Sequence, residues 1–246
     1  MHRCWRYRRK SEVASIEFVL NAGLEGKTIL DIGANKGVYS IFMSRAAGPD
    51  GRVIGFEPQP ELGPHLQRVK GEFGLDNFEI VECGLSSSPG ELIMRRSEPG
   101  SGQASVNPLR ESDRSEELVI QVTTLDQYFA GNSYDPISFI KCDVEDHEYE
   151  VFLGGSELLS RDMPTLLFEV HEQEAEKGKI FSYLSELGYE GYFFHVTPQD
   201  HASLLHKGRG KYVSYAEWPE YEYCHPDLKF RNYIFMAKGK TPRTLA

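Results

Sequence analysis

Carboxylates in this sequence stand at the ends of short apolar runs that have the composition of buried β-strands. Asp31 lies beside a glycine-bearing turn, Glu57 follows the run 52–56, and Asp143 and Glu169 end two later runs. Because the carboxyl ends of parallel strands lie at one edge of a sheet, we expect these side chains to face a shared crevice. Carboxylates in such a crevice can accept hydrogen bonds from hydroxyl groups or remove a proton from them.

The turn after the first run has the composition of a ligand-binding turn. Residues 28–32 are rich in β-branched side chains, and Gly33 and Gly37 flank a bend before a helical pattern that begins at Val38. Glycine has no Cβ, so the backbone can bend sharply there and approach a ligand closely. We expect the unpaired N–H groups at the start of this helix to bind a polar ligand.

The acid that ends the second run is placed like a ribose-binding residue. Glu57 follows the glycine turn by roughly 20 residues, where a carboxylate can accept two hydrogen bonds from a ribose diol. Folds that bind nicotinamide dinucleotides and folds that bind S-adenosylmethionine (SAM) both use such an acid. The Gly-x-Gly-x-x-Gly pattern of a dinucleotide site is absent, and Asp31 would repel a pyrophosphate. These residues favour SAM, with a nicotinamide-dependent oxidoreductase as the alternative.

A dense group of ionisable residues follows the fourth predicted strand. We interpret Asp143 and Glu145 as site residues because their strand points into the crevice of the first turn. Asp146 and Glu148 are interpreted instead as solvent-exposed acids at the start of a helix, where the helix dipole favours negative charge.

Glu169 and His171 end the fifth predicted strand on the same side of the sheet. A hydroxyl acceptor could be deprotonated by Glu145, Glu169 or His171, and His171 has the unperturbed pKa closest to neutrality. A magnesium ion held by Asp143, Glu145 and Glu169 could instead acidify the acceptor, since oxygen ligands suit this metal. Both routes remain open at this stage.

Several motifs occur together in the order and spacing of one known family. They are Leu30-Asp31-Ile32-Gly33-Ala34-Asn35-Lys36-Gly37, Phe56-Glu57-Pro58-Gln59-Pro60, Thr124-Leu125-Asp126 and Ile140-Lys141-Cys142-Asp143-Val144-Glu145. Over residues 24–195 the chain resembles the FkbM family of SAM-dependent methyltransferases. The resemblance implies O-methylation of a hydroxyl group on a small molecule or sugar. The family usually has a glycine at the position of Asp146, so a catalytically inactive SAM-binding protein is a further alternative.

The resemblance to this family implies two groups of site residues, one for the cofactor and one for catalysis. The cofactor-binding residues are Asp31, Gly33, Ala34, Asn35, Gly37, Glu57 and Pro58. The catalytic candidates are Asp143, Glu145, Glu169 and His171.

The elements that must position these residues alternate between strands and helices. Seven predicted strands give a three-layer α/β/α sandwich of the Rossmann-like class I methyltransferase type, with a mostly parallel sheet and an antiparallel last strand. We expect one domain over residues 1–246, with an N-terminal helix at 11–22 and a C-terminal excursion and last strand at 197–246. The long insertion 86–117 contains residues 101–105, either a flap near the pocket or a surface loop.

Composition limits the partners of the protein. The 246-residue chain carries a net charge of −10, which argues against a nucleic-acid or anionic-membrane surface. No stretch reaches the roughly 18 consecutive apolar residues of a membrane span, and no apolar run follows the N-terminal charges as in a signal peptide. We therefore expect a cytoplasmic protein with a small-molecule or carbohydrate hydroxyl acceptor.

Overall fold

A central β-sheet flanked by helices organises the chain in a computed structural model, which describes residues 12–107, 116–130, 134–170, 174–195, 211–217 and 232–242. The strands are β1 (Thr28–Ile32), β2 (Arg52–Phe56), β3 (Phe78–Val81), β4 (Gly84–Leu85), β5 (Gly90–Arg96), β6 (Glu116–Thr123), β7 (Ile137–Cys142), β8 (Thr165–Glu169), β9 (Tyr189–His195), β10 (Lys211–Ser214) and β11 (Asn232–Ala237). The α-helices are α1 (Val13–Asn21), α2 (Val38–Ala47), α3 (Leu62–Phe73), α4 (Leu125–Phe129), α5 (Glu148–Leu153), α6 (Ser156–Asp162) and α7 (Glu174–Glu186). None of these helices is long and apolar enough to cross a membrane.

The main sheet holds eight strands in the order β10-β9-β11-β8-β7-β1-β2-β3. The strands from β8 to β3 pair in parallel, and β11 runs antiparallel to both of its neighbours. The class I methyltransferase architecture and its antiparallel last strand are therefore confirmed. The predicted count of seven strands is wrong by one, because β10 adds to the edge of the sheet beside β9. Only Val213 of its four residues is buried, so β10 shows no apolar run in the sequence.

Apolar side chains on the two faces of this sheet form two cores. Successive residues of a strand point to opposite faces, so Leu30 packs in one core and Ile29 in the other. The strand order reverses between β1 and β7, since the chain continues from β1 to β2 and β3 on one side and from β7 to β8 on the other. Such a reversal opens a crevice at the carboxyl ends of the strands, where α/β proteins bind ligands.

A second sheet of three strands, in the order β4-β6-β5, combines β5 of the long insertion with the two strands that flank the insertion. Within this sheet β5 and β6 pair antiparallel. Met94, Ala104, Ile120 and Val122 form a small apolar cluster on this sheet. All four also line the crevice of the main sheet, so the second sheet acts as its apolar wall.

Candidate active site

A cleft of about 210 Å³ lies at the carboxyl ends of the main strands. The predicted site residues that line it are Gly33, Ala34, Asn35, Glu57, Pro58, Asp143, Glu145 and Glu169. Asp31 and Gly37 lie behind this lining, Asp31 fully buried and Gly37 against α3. His171 falls outside the residues that the structure describes. The structure therefore brings most of the predicted residues together around one space.

The turn after β1 requires glycine at its first position. Gly33 has a φ of +76°, and a Cβ there would lie 2.0 Å from the carbonyl oxygen of Asp143. The N–H groups of Gly33 and Ala34 both donate to the carbonyl oxygen of Phe56 at 3.0 Å. These hydrogen bonds fix the end of β1 against the end of β2, so the N–H groups of Gly33 and Ala34 are occupied. The prediction of unpaired N–H groups concerned the helix that begins at Val38, and it stays a prediction.

Glu57 is held by this turn with its carboxylate facing the cleft. Its Oε2 accepts the N–H of Asn35 at 2.8 Å, and its Oε1 accepts the N–H of Gln59 at 3.0 Å. Burial raises the pKa of the Glu57 carboxyl, and the two N–H donors partly offset this effect. A carboxylate has about four acceptor positions. Each oxygen of Glu57 therefore retains capacity for a hydroxyl donor in the cleft.

A network of charged side chains lies where β1 and β7 end at the cleft. The ammonium of Lys141 is 3.0 Å from Oδ2 of Asp143 and 3.9 Å from Oδ1 of Asp31. Burial alone would lower the pKa of Lys141, but the carboxylates of Asp143 and Asp31 outweigh it and hold this pKa above its usual value. Ser40 donates to Oδ2 of Asp31 at 2.6 Å, and Oδ1 of Asp31 has no hydrogen bond to the described residues. The pair of acids keeps Lys141 charged at the cleft.

The model of the methyltransferase FkbM domain matches residues 31–190 of this sequence. The chain belongs to the FkbM family. Family membership, together with the class I fold, makes it a SAM-dependent methyltransferase and decides against the nicotinamide alternative.

Relatives of known name agree with this assignment. The methyltransferase sdnD of Sordaria araneosa is 27% identical over 190 residues, which cover 66% of this chain and 73% of that protein. The hexuronic acid methyltransferase AglP of Haloferax volcanii is 24% identical over 168 residues, covering 68% of this chain and 66% of that protein. A crystal structure of methyltransferase FkbM from Methylobacillus flagellatus KT aligns with a TM-score of 0.54 at 16% identity, covering 86% of this chain and 43% of that one. This chain thus spans less than half of that protein, and the structural likeness supports the fold alone.

The backbone conformation of the loop after β7 explains why glycine would suit the position of Asp146. Asp146 has a φ of +72° and Glu145 a φ of +56°, both in the left-handed region that glycine adopts most readily. Aspartate tolerates this conformation better than most residues. Asp146 therefore keeps a loop geometry that glycine would also permit, and Glu145 still lines the cleft.

Glu148 begins α5, as predicted, but the prediction that it is exposed to solvent is wrong. It is 5% exposed, and its Oε1 accepts the N–H of Val144 at 2.9 Å. Burial raises the pKa of Glu148 to about 8. The hydrogen bond between Glu148 and Val144 therefore fixes the loop that carries Asp143 and Glu145.

Residues 101–105 lie at the cleft, as the flap alternative predicted. The carbonyl oxygen of Ser101 accepts hydrogen bonds from Nδ2 of Asn35 at 3.3 Å and from Nε2 of Gln59 at 3.2 Å. Ser105 donates from Oγ to the carbonyl oxygen of Glu145. The segment thus connects the β1 turn with the loop after β7.

The magnesium alternative finds no support among the residues that the structure describes. Asp143, Glu145 and Glu169 all line the cleft, but no group of three or more His, Cys, Asp or Glu side chains in the described part is arranged to hold a metal ion.

Sequence reasoning left several polar residues of the cleft unassigned, among them Lys141, Glu12 and Asn232. Lys141 is the one charged residue of a mostly apolar strand, and this charge in a buried run was a usable signal. Glu12 and Asn232 also line the cleft and are hydrogen-bonded to each other. They are 220 positions apart in the chain, so no local pattern connects them.

Proposed function

We propose that this methyltransferase transfers the methyl group of SAM to a hydroxyl oxygen of a small molecule or sugar. The observation that supports this proposal is the division of the cleft into two polar ends. Glu57 lies at the end of β2, and Asp143 and Glu169 lie at the ends of β7 and β8. One end has the chemistry to hold a ribose, and the other has acceptors for the hydrogen of a hydroxyl group.

The residues around the β1 turn fit SAM. In this proposal Glu57 binds the ribose diol, and Asp31, Gly33, Ala34, Asn35, Gly37 and Pro58 complete the cofactor site as predicted. Each charge-assisted hydrogen bond to Glu57 would contribute roughly 1.5–3 kcal/mol. Asp31 lies behind the lining, where Oδ1 faces the ammonium of Lys141 at 3.9 Å, so in this proposal its charge acts on the site through that ion pair.

SAM supplies an electrophilic methyl group on a positively charged sulfur. The contribution of the protein is to bind the acceptor with its oxygen in line with this group, which supplies of order 7–11 kcal/mol at best. Asp143, Glu145, Glu169 and His171 remain the predicted residues for this end of the site. Met94, Ala104, Ile120 and Val122 line the cleft as an apolar wall. Polar contacts beside such a wall are stronger than in water, because the local dielectric is low.

The named relatives support the choice of a small hydroxylated acceptor. AglP acts on hexuronic acid by its name, and the name of sdnD states methyl transfer only. A carbohydrate acceptor is therefore the first class to test.

The proposal is tested by incubating the protein with SAM and a panel of acceptors that share a scaffold but carry a hydroxyl, an amine or a thiol. Mass spectrometry detects the added methyl group, and release of S-adenosylhomocysteine (SAH) is measured in parallel, with and without magnesium. We expect methyl ethers and matching SAH release from the hydroxyl series. Methylation confined to the amines or thiols would contradict the proposed O-specificity.

A further inference from the structure

Glu12 lies directly before α1 but does not serve that helix as a cap. It occupies the N-cap position without a side-chain hydrogen bond to the helix. Its side chain lines the cleft instead, where Oε2 accepts the hydroxyl of Tyr39 at 3.1 Å and Nδ2 of Asn232 at 3.0 Å. Both hydrogen bonds go to one oxygen, so among the described residues Oε1 is left for a ligand in the cleft.

The position of Glu12 in the sheet separates it from the ribose end of the cleft. Asn232, its partner, is paired with Glu169 where β11 meets β8. Glu57 ends β2, and the strand order places β1 and β7 between β2 and β8. Three strand spacings amount to roughly 14 Å. Through Asn232, Glu12 is therefore attached to the part of the sheet beyond β7 as viewed from Glu57, while Tyr39 connects it to α2.

We infer that Glu12 is the general base of the methyl transfer and that it forms, with Asn232, the subsite that binds the acceptor hydroxyl. This inference rests on the proposed function, and it assigns the proton to a residue outside the segment that matches the family model. The acceptor oxygen forms a bond to the methyl carbon while the bond from that carbon to sulfur breaks. The electron pair of the broken bond stays on sulfur, and the hydroxyl proton passes to Oε1 of Glu12.

The surroundings of Glu12 suit a base near neutral pH. Burial and the negative charges of Glu169 and Asp143 raise its pKa to about 7, against the opposing effects of the Tyr39 hydroxyl and the Lys141 ammonium. A base with a pKa near the working pH combines a useful ionised fraction with proton affinity. These groups come from four places: Tyr39 from α2, Lys141 from β7, Asp143 from the loop after β7, and Glu169 from β8. The pKa of Glu12 therefore depends on several elements and not on α1 alone. Asn232 adds a neutral donor from β11.

The test compares two probes that bind without an acceptor. SAH lacks the transferred methyl group, whereas sinefungin is a SAM analogue in which an amine-bearing carbon replaces the methylated sulfur. Both share the same nucleoside and amino-acid ends, so the ratio of their dissociation constants reports the charge near the methyl position. Calorimetry at pH 8 and pH 6 is performed on the wild type, on Glu12→Gln and on the exposed control Glu25→Gln.

We expect the preference for sinefungin over SAH to fall by about tenfold in Glu12→Gln at pH 8, because the ionised carboxylate no longer attracts the ammonium. In the wild type the preference should also weaken from pH 8 to pH 6, as Glu12 takes up a proton, and Glu25→Gln should behave like the wild type. SAH itself should bind Glu12→Gln with unchanged affinity, which also shows that the variant is folded.

Two results would overturn the assignment of Glu12 while leaving the proposed function intact. An unchanged preference in Glu12→Gln would place Glu12 away from the methyl position. An equal loss of SAH and sinefungin affinity would show that it holds a part common to both probes. Failure of the wild type to bind SAH at all would contradict the proposed function itself.

Discussion

Glu148 carries a prediction about stability, since its buried carboxyl has a pKa raised to about 8 from an ordinary value of 4.5. The folded protein therefore holds this proton more tightly than the unfolded chain does. The stability it contributes is fully present below about pH 4.5 and is lost as the pH rises through 8. One such group changes the free energy of unfolding by at most about 1.4 kcal/mol per pH unit within that window.

The change that tests this is Glu148→Gln, whose side-chain oxygen can still accept the N–H of Val144. We expect the variant to lose less stability than the wild type between pH 5 and pH 8, measured by urea unfolding at a series of pH values. Glu157→Gln, an exposed change on α6, serves as the control and should follow the wild type. Parallel pH profiles for the wild type and Glu148→Gln would show that Glu148 is ionised in the folded state.

At the scale of elements, the β1 turn depends on close approach to the loop after β7. A side chain at Gly33 would collide with the backbone of Asp143 and would also hold an unfavourable φ. We expect Gly33→Ala to lower the free energy of unfolding by about 2 kcal/mol or more and to abolish measurable SAM binding, because the turn also fixes Glu57.

Gly71 provides a matched control for this substitution. It lies within α3, has an ordinary backbone conformation, and a Cβ there would meet nothing within 4 Å. Gly71→Ala should therefore stabilise the protein by about 0.5–1 kcal/mol through helix propensity and leave SAM affinity unchanged. Thermal unfolding of both variants measures the contrast, and equal effects of the two substitutions would contradict the role assigned to the turn.

Local patterns predicted those elements that local chemistry determines. Gly74 adopts a left-handed conformation and ends α3, a place where glycine is favoured, and the side chain of Thr124 caps α4 by accepting the N–H of Gln127. β10 escaped prediction because an edge strand with one buried residue leaves no apolar run. Burial of Glu148 escaped as well, since it depends on how the preceding loop folds back over the side chain.

On the scale of the whole molecule, the two ends of the cleft differ in how far the sequence could predict them. Glu57 and the β1 turn belong to consecutive strands, so their spacing along the chain indicates their proximity. Glu12 and Asn232 are brought together only by the packing of α1 against the sheet and the insertion of β11 beside β8. The proposed acceptor side of the site therefore depends on the tertiary fold.

Isothermal titration of the protein with SAM, with NADH in parallel, tests the cofactor site most directly. The wild type, Glu57→Ala and the exposed control Glu72→Ala on α3 are compared, with circular dichroism to verify folding. We expect saturable SAM binding and no NADH binding by the wild type, unchanged affinity in Glu72→Ala, and a loss of about tenfold or more in Glu57→Ala, since charge-assisted hydrogen bonds to the ribose disappear. Equal SAM affinity in folded Glu57→Ala and wild type, or binding of NADH alone, would contradict the assignment of this cleft to SAM.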